Sequence, residues 1–203
     1  MTAGRITTLP NLLGLLRIAL TPVVMALVLL PFQASGVAAA VIFGVAALTD
    51  VLDGRIARAR GQVTALGVFM DLTADKVLVA GVLIAMVEVG ILPTWIVAIV
   101  LARELVIGGI RQLAASASVV IAARALGKAK TFATLAGIFL LLLAYDGPGG
   151  PIGSPGVEVL SAVGFWVMVL ATLLALASAV DYLRGALPIL LGMQPATDER
   201  PPT

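Results

Sequence analysis

The chain contains no cysteine and no histidine among its 203 residues. Their absence excludes thiol nucleophiles, disulfide bonds, Ser/His/Asp triads, phosphohistidine intermediates and zinc bound through imidazole. Charged residues make up only 12% of the sequence and aromatic residues 5%, so few side chains are left that could carry acid–base chemistry. A general base of suitable strength must therefore be a carboxylate.

The scarcity of polar residues also indicates the environment in which most of the chain lies. The hydrophobic fraction is 61% and the mean hydropathy is +1.13, both far above the values of soluble domains. The length of 203 residues allows about six helices of about 20 residues each with short connections. We therefore predict an all-α integral membrane protein with six transmembrane helices, which forms a single membrane-embedded domain over residues 1–192 and ends in a polar, disordered tail over residues 193–203.

Apolar runs that are separated by glycine, proline and polar residues mark the expected spans. They cover residues 12–30, 37–59, 66–87, 93–113, 131–145 and 157–183. Residues 116–130 are predicted to form a connection, and the sixth span is expected to end before Gly185 and Pro188 because both break helices.

The distribution of charge orients these spans. All 13 basic residues lie on or near one side of the membrane, and the three loops on the other side carry none. An excess of Lys and Arg marks the cytoplasmic side, so we predict that both termini are cytoplasmic. The net charge of +2 along one membrane edge fits lipid head groups and anionic substrates better than nucleic acid.

Four aspartates form the most informative pattern in the chain. The sequence reads Asp50-x-x-Asp53-Gly54-x-x-Ala57-Arg58 and, after eight further residues, Gly67-x-x-x-Asp71-x-x-x-Asp75. The helical period places the first group on one face of the second helix and the second group on one face of the third, both near the cytoplasmic side. The two faces can therefore meet.

Carboxylates that face one another in a poorly solvated place need a counter-charge. Two divalent cations supply four positive charges and take hard oxygen ligands, which favours Mg²⁺ or Mn²⁺ over zinc. Two such ions about 3.5–4 Å apart form the clamp of in-line phosphoryl displacement. Gly54 and Gly67 leave room for a ligand against the helices, and Arg58 can bind phosphate oxygens. Taken singly, these residues are also typical of helix caps and packing glycines; in register on two helices they indicate a metal site.

The motif from Asp50 to Asp75 resembles the signature of the CDP-alcohol phosphatidyltransferase family at every fixed position. The resemblance implies a six-helix membrane enzyme, a homodimer, that uses two metal ions to displace CMP from a CDP-linked lipid by an alcohol. On this chain it implies four metal ligands, Asp50, Asp53, Asp71 and Asp75. Asp71 and Asp75 would be catalytic, with Asp75 as the base for the incoming hydroxyl. The cytidine diphosphate site would be lined by Gly54, Ala57, Arg58 and Gly67.

A second polar set lies at the cytoplasmic ends of the fourth and fifth helices. It contains one acid, Glu104, and four cations that would suit the phosphate of an acceptor, namely Arg103, Arg111, Lys128 and Lys130. The alternative for Arg103, Lys128 and Lys130 is plain anchoring at the cytoplasmic surface. Arg17 can reach head groups or a substrate phosphate, and Lys76 can pair with a carboxylate or point toward a lipid phosphate.

Residues 10–17, 102–111 and 126–131 resemble the branch of the family that makes phosphatidylglycerophosphate, with departures at Gly14 and Leu72. This resemblance implies that the substrates are CDP-diacylglycerol and glycerol 3-phosphate. It also implies a bacterial-type inner membrane, with membrane lipids as neighbours and the active site facing the cytoplasm. Inositol phosphate, phosphatidylglycerol and serine are alternative acceptors. A small ion transporter is an alternative of another class, although its acids tend to lie near the midplane and often in repeated halves.

Overall fold

The computed structural model is entirely helical over the residues that it describes. Its backbone is described for residues 9–30, 32, 34–59, 65–116, 125–145 and 155–190, and its side chains for residues 12–30, 32, 34–49, 73–114, 126–145 and 155–185. Within these ranges the chain forms six helices: α1 Leu9–Leu29, α2 Ser35–Ala59, α3 Ala65–Glu88, α4 Thr94–Ser116, α5 Ala125–Ala144 and α6 Pro155–Leu190. The predicted all-α class with six helices is confirmed.

Three stretches of the described helices are long and apolar enough to cross a membrane. They are Leu12–Leu29, Leu126–Ala144 and Pro155–Gly185, with mean hydropathies of 2.3, 1.6 and 2.4. The shorter apolar stretch Ser35–Thr49 lies in α2. These helices support a membrane protein, whereas six complete spans and cytoplasmic termini stay predictions.

Two predicted boundaries were wrong. The fifth helix begins at Ala125, so residues 125–130 belong to α5 and not to the preceding connection. This turn is helical because Ala, Leu and Lys favour helix, and because Lys130 is held by a buried ion pair with α4. The sixth helix continues to Leu190, past Gly185 and Pro188. A proline removes only one backbone donor, and a helix in an apolar setting keeps its remaining hydrogen bonds because nothing else can satisfy them.

The helices pack around one apolar core to which all six contribute. α5 lies along α6, α1 lies along α3, and α4 packs on α6, while α2 contacts α1 and α5. The largest fully buried side chains include Val24, Phe43, Leu83, Ile96, Ile138 and Met168, one from each helix in chain order. This core fixes α3, α4 and α5 relative to one another, and it is these three helices that carry the candidate site.

Small residues allow the closest helix contacts. A Cβ atom at Gly137 would come within 2.7 Å of the Met168 side chain, and one at Gly164 within 2.9 Å of the Leu141 side chain, so a larger residue at either position would displace the side chain that faces it. Directly after the end of α5, the Tyr145 hydroxyl donates a hydrogen bond of 3.2 Å to the carbonyl oxygen of Val28 in α1. A Cβ atom at Gly36 would overlap the carbonyl oxygen of Tyr145. The ends of α1, α2 and α5 are therefore joined around Tyr145.

We expect Gly36→Ala to lower the free energy of unfolding by about 3 kcal/mol, because the new methyl group meets backbone and not a flexible side chain. The measurement is thermal unfolding of the purified protein in detergent. Gly156→Ala is the matched control, since Gly156 is likewise the second residue of its helix and has open space around it. Equal stability of the two variants would contradict the close approach of α2 to Tyr145.

Candidate active site

A buried polar network joins α4, α5 and α6. Glu104 of α4 accepts a hydrogen bond of 2.8 Å from the Arg103 guanidinium and a second from the Lys130 ammonium of α5. Arg103 also donates a hydrogen bond of 2.8 Å to the hydroxyl of Ser178 in α6. The side chains of Arg103 and Lys130 are only 9% and 6% exposed, against 26% for Glu104.

The carboxylate of Glu104 therefore binds two buried cations at once. A charge taken out of water costs several kcal/mol unless it is paired, and breaking such a pair leaves the remaining charge buried. Charge-assisted hydrogen bonds are also shorter and stronger than neutral ones. The network thus fixes where α5 begins relative to α4.

A cavity of about 190 Å³ adjoins the network. Its polar lining comes from three helices and consists of Asp75 and Lys76 of α3, Glu104 of α4, and Lys130, Thr131 and Thr134 of α5. The charge of Asp75 also acts on Lys130. A carboxylate, two ammonium groups and hydroxyls therefore surround one small space between apolar helices.

A second cavity, of about 540 Å³, shares Lys76 and Glu104 with the first. Arg103, Arg111, Thr73 and Gln112 complete its polar lining. The Arg111 guanidinium carbon lies 5.3 Å from the centre of the Tyr182 ring of α6, a cation–π contact that holds the guanidinium in place.

The structure brings together part of the predicted site. Asp75, Arg103, Arg111 and Lys130 all line these two adjoining cavities, whereas the exposed Lys128 lines neither. The other predicted residues lie outside the described side chains, namely Asp50, Asp53, Gly54, Ala57, Arg58, Gly67 and Asp71. No group of three or more acids that could hold a metal occurs among the side chains that are described, three of the four predicted ligands being outside them.

Sequence reasoning assigned no site role to four residues that the structure places here or nearby. Lys76 and Glu104 line both cavities, and Ser178 and Tyr182 of α6 support the two arginines. Ser178 and Tyr182 are four residues apart and lie on one face of α6, but this spacing occurs throughout any helix, so the sequence gives no signal that pairs them with the arginines. Arg17 is 3% exposed, so protein covers it and it does not extend to head groups.

Comparison with known families shows which family the chain belongs to. The family model described as CDP-alcohol phosphatidyltransferase matches residues 7–185, which is most of the chain. The chain belongs to the CDP-alcohol phosphatidyltransferase family. The matched region contains the whole motif from Asp50 to Asp75 and both cavities, and the predicted resemblance is confirmed. Membership in a family of phosphatidyltransferases also goes against the ion-transporter alternative.

Relatives in this family carry names that agree with one branch of it. The chain is 38% identical to the CDP-diacylglycerol–glycerol-3-phosphate 3-phosphatidyltransferase of Bacillus subtilis (strain 168), over 66% of this chain and 76% of the relative. It is 36% identical to a probable phosphatidylglycerophosphate synthase of Mycobacterium tuberculosis, over 91% of this chain and 84% of the relative. It is 33% identical to the CDP-diacylglycerol–glycerol-3-phosphate 3-phosphatidyltransferase of Pseudomonas fluorescens, over 90% of this chain and 91% of the relative.

We expect Glu104→Ala to lower the free energy of unfolding by about 3 kcal/mol, because it leaves Arg103 and Lys130 buried without their shared counter-charge. Thermal unfolding in detergent measures the effect. Glu88→Ala is the control, since Glu88 is exposed at the far end of α3 and its removal should change stability by less than about 0.5 kcal/mol. If both variants unfolded at the same temperature, Glu104 would not hold the three helices together.

Proposed function

We propose that this protein transfers a phosphatidyl group from CDP-diacylglycerol to the 1-hydroxyl of glycerol 3-phosphate, giving phosphatidylglycerophosphate and CMP. The observation that carries this proposal is the small cavity in which Asp75 lies beside Lys76, Glu104 and Lys130. A carboxylate next to cations fits the deprotonation of an alcohol that bears a negative charge. Family membership and the names of the bacterial relatives support the same reaction.

The donor set of the motif fits a hard divalent metal such as Mg²⁺ or Mn²⁺. The chain offers no imidazole or thiolate, so the ligands are carboxylate oxygens. Residues 50–53 and 71–75 are helical, which puts Asp50 with Asp53, and Asp71 with Asp75, on one face of their helices. We infer that these four aspartates hold two cations, and that bound cations supply the positive charge that polarises the diphosphate and stabilises the departing CMP.

The proposed steps by the side chains of this chain are few. Asp75 accepts the proton of the 1-hydroxyl while the hydroxyl oxygen attacks the phosphorus that carries diacylglycerol. The bond from that phosphorus to the oxygen shared with CMP breaks, and CMP leaves with the electron pair. The cytidine diphosphate is proposed to lie along Gly54, Ala57, Arg58 and Gly67, and the acceptor phosphate near Arg103, Arg111, Lys128 and Lys130.

The surroundings of the reaction form part of the proposal. The basic residues on one side favour six spans with both termini and the active site in the cytoplasm, in the inner membrane of a bacterium. The lipid tails of CDP-diacylglycerol would stay in the bilayer and enter between helices. A homodimer is the assembly that the resemblance to the family implies.

We expect the purified protein to release CMP from CDP-diacylglycerol when glycerol 3-phosphate and Mg²⁺ are both present. The assay offers each alcohol in turn, namely glycerol 3-phosphate, inositol phosphate, phosphatidylglycerol and serine, with Mg²⁺ or with a chelator. If CMP were released with another acceptor and not with glycerol 3-phosphate, the proposed acceptor would be wrong, but the proposed type of reaction would stand. Release that was unchanged by the chelator would overturn the metal site.

We expect Asp75→Asn to lower kcat by about a hundredfold or more, because the amide cannot accept the proton. Binding of CDP-diacylglycerol should stay within about twofold of the wild type, since the base acts on the other substrate and the amide oxygen of asparagine can still ligate the metal. Glu88→Gln, at the far end of the same helix, is the control and should keep full activity. A variant that instead lost the binding of CDP-diacylglycerol would show that Asp75 only ligates metal.

A further inference from the structure

The smaller cavity is polar at one end and apolar at the other. Its charged side chains come from three helices and form the polar end, namely Asp75 and Lys76 of α3, Glu104 of α4 and Lys130 of α5. Most of its other lining residues are aliphatic. Four of these, which we call the apolar end, are Val79 of α3, Val100 and Leu101 of α4, and Leu135 of α5.

The apolar end lies about one helical turn from the polar end on each of the three helices. Val79 follows Asp75 by four residues on α3, and Leu101 precedes Glu104 by three residues on α4. A short turn joins the two helices, so α4 runs in the opposite direction to α3 and both displacements point the same way. Leu135 likewise lies deeper in α5 than the lysine of the polar end. The cavity therefore changes from charged to aliphatic over about 5 Å along the bundle.

The apolar end offers little to a polar ligand. Val100 is 1% exposed, and the other three residues of this end are partly buried against the apolar core. Thr131 and Thr134 also line the cavity, but their hydroxyls donate hydrogen bonds of 3.1 Å and 3.0 Å to the carbonyl oxygens of Gly127 and Lys130. These protons are therefore used within α5. A hydrocarbon group is the ligand chemistry that such a surface fits.

The helices around this cavity leave room for an extended chain. Over their described residues the backbones of α4 and α5 do not approach closely, and the ion pair of Glu104 with Lys130 bridges them. α3 touches each of these two helices only along a short stretch. Leu105, which is 75% exposed, lies at the edge of the cavity and gives it an apolar mouth.

The chemistry of the reaction indicates what lies in this space. Under the proposed function, the hydroxyl at Asp75 attacks the phosphorus that carries diacylglycerol, so that phosphorus lies at the polar end. The ester groups of the diacylglycerol are only a few bonds away, and its hydrocarbon begins there. The donor lipid therefore changes from charged to aliphatic over a short length, as the cavity does. Glycerol 3-phosphate is polar throughout and has no group for the apolar end.

We propose that the apolar end of the smaller cavity binds the first carbons of one acyl chain of the lipid donor, and that the chain leaves the cavity past Leu105. This inference rests on the proposed function and deepens it. The four side chains of the apolar end then limit the width of the chain, so they determine which chains the enzyme accepts. Close-packed aliphatic walls discriminate by shape, because an added methyl group needs space that the packed core does not give.

The first test fills the apolar end in the full chain purified in detergent. We expect Val79→Phe to weaken the binding of straight-chain CDP-diacylglycerol, measured by calorimetry, by about tenfold, because the ring takes the space of the chain. Binding of CDP, which has no acyl chain, should stay within about twofold, and so should the KM for glycerol 3-phosphate. Val163→Phe is the matched control, since Val163 is 46% exposed on α6 and lies outside the cavity lining.

The second test enlarges the apolar end and does not depend on packing an extra ring. The wild type should bind CDP-diacylglycerol with straight chains more tightly than the same lipid with phytanoyl chains, which carry methyl branches. We expect Leu101→Ala to reduce this preference by about threefold or more, because it opens space beside the chain. Thermal unfolding of every variant shows whether it is folded.

The other outcomes contradict the inference. Unchanged binding of CDP-diacylglycerol by Val79→Phe would overturn it, and so would equal losses for CDP and CDP-diacylglycerol or an equal loss in Val163→Phe. If Val79→Phe did not fold, an unchanged chain preference of Leu101→Ala would overturn it alone. Binding is measured without turnover, so a wild type that used another acceptor would contradict the proposed function while these binding ratios still decided the acyl-chain site.

Discussion

A charge enclosed by apolar helices must find its counter-charge inside the same bundle, and the described part of the site is built around this constraint. Glu104 supplies the counter-charge, because its carboxylate binds both Arg103 of its own helix and Lys130 of α5. Desolvation would otherwise cost several kcal/mol for each buried cation. The polar contacts of α4 with α5 and α6 therefore converge at one place, and the rest of the packing has to accommodate that place.

The apolar core and the polar network position the helices in different ways. Residues such as Phe43, Leu83 and Ile138 fill the space between the helices and set their distances. Contacts between apolar side chains are non-directional, so they do not specify which polar groups meet. The ion pairs and the contact of Arg111 with Tyr182 do specify this, since each needs one partner in one geometry. The two cavities lie where the apolar packing gives way to that network.

The sequence predicts the six helices well because each apolar run and each breaker acts locally. It misplaces the start of α5 because the turn at residues 125–130 depends on Lys130 meeting Glu104, 26 positions away in the chain. The site follows the same division. Placing the acids of α3 and the cations of α4 and α5 on one side requires only topology, and Asp75, Arg103 and Lys130 do meet around adjoining cavities. Ser178 lies 75 positions from Arg103, and nothing in a single sequence pairs them.

The separation of the cavities bears on how such a fold can serve different alcohols. Under the proposed function Asp75 accepts the proton in the smaller cavity, whose described lining holds two acids and two cations and so offers no excess charge to the rest of the acceptor. The described lining of the larger cavity holds one acid and three cations, so under the proposed function an acceptor without phosphate would leave Arg103 and Arg111 with no added negative charge to compensate them. A site built to pair with a charged group rejects analogues that lack the group more strongly than it rejects analogues that differ only in size. Under the proposed function, acceptor choice would therefore reside in the residues that line the larger cavity on α3 and α4 and in the α6 side chains behind them, while the chemistry at Asp75 would stay the same.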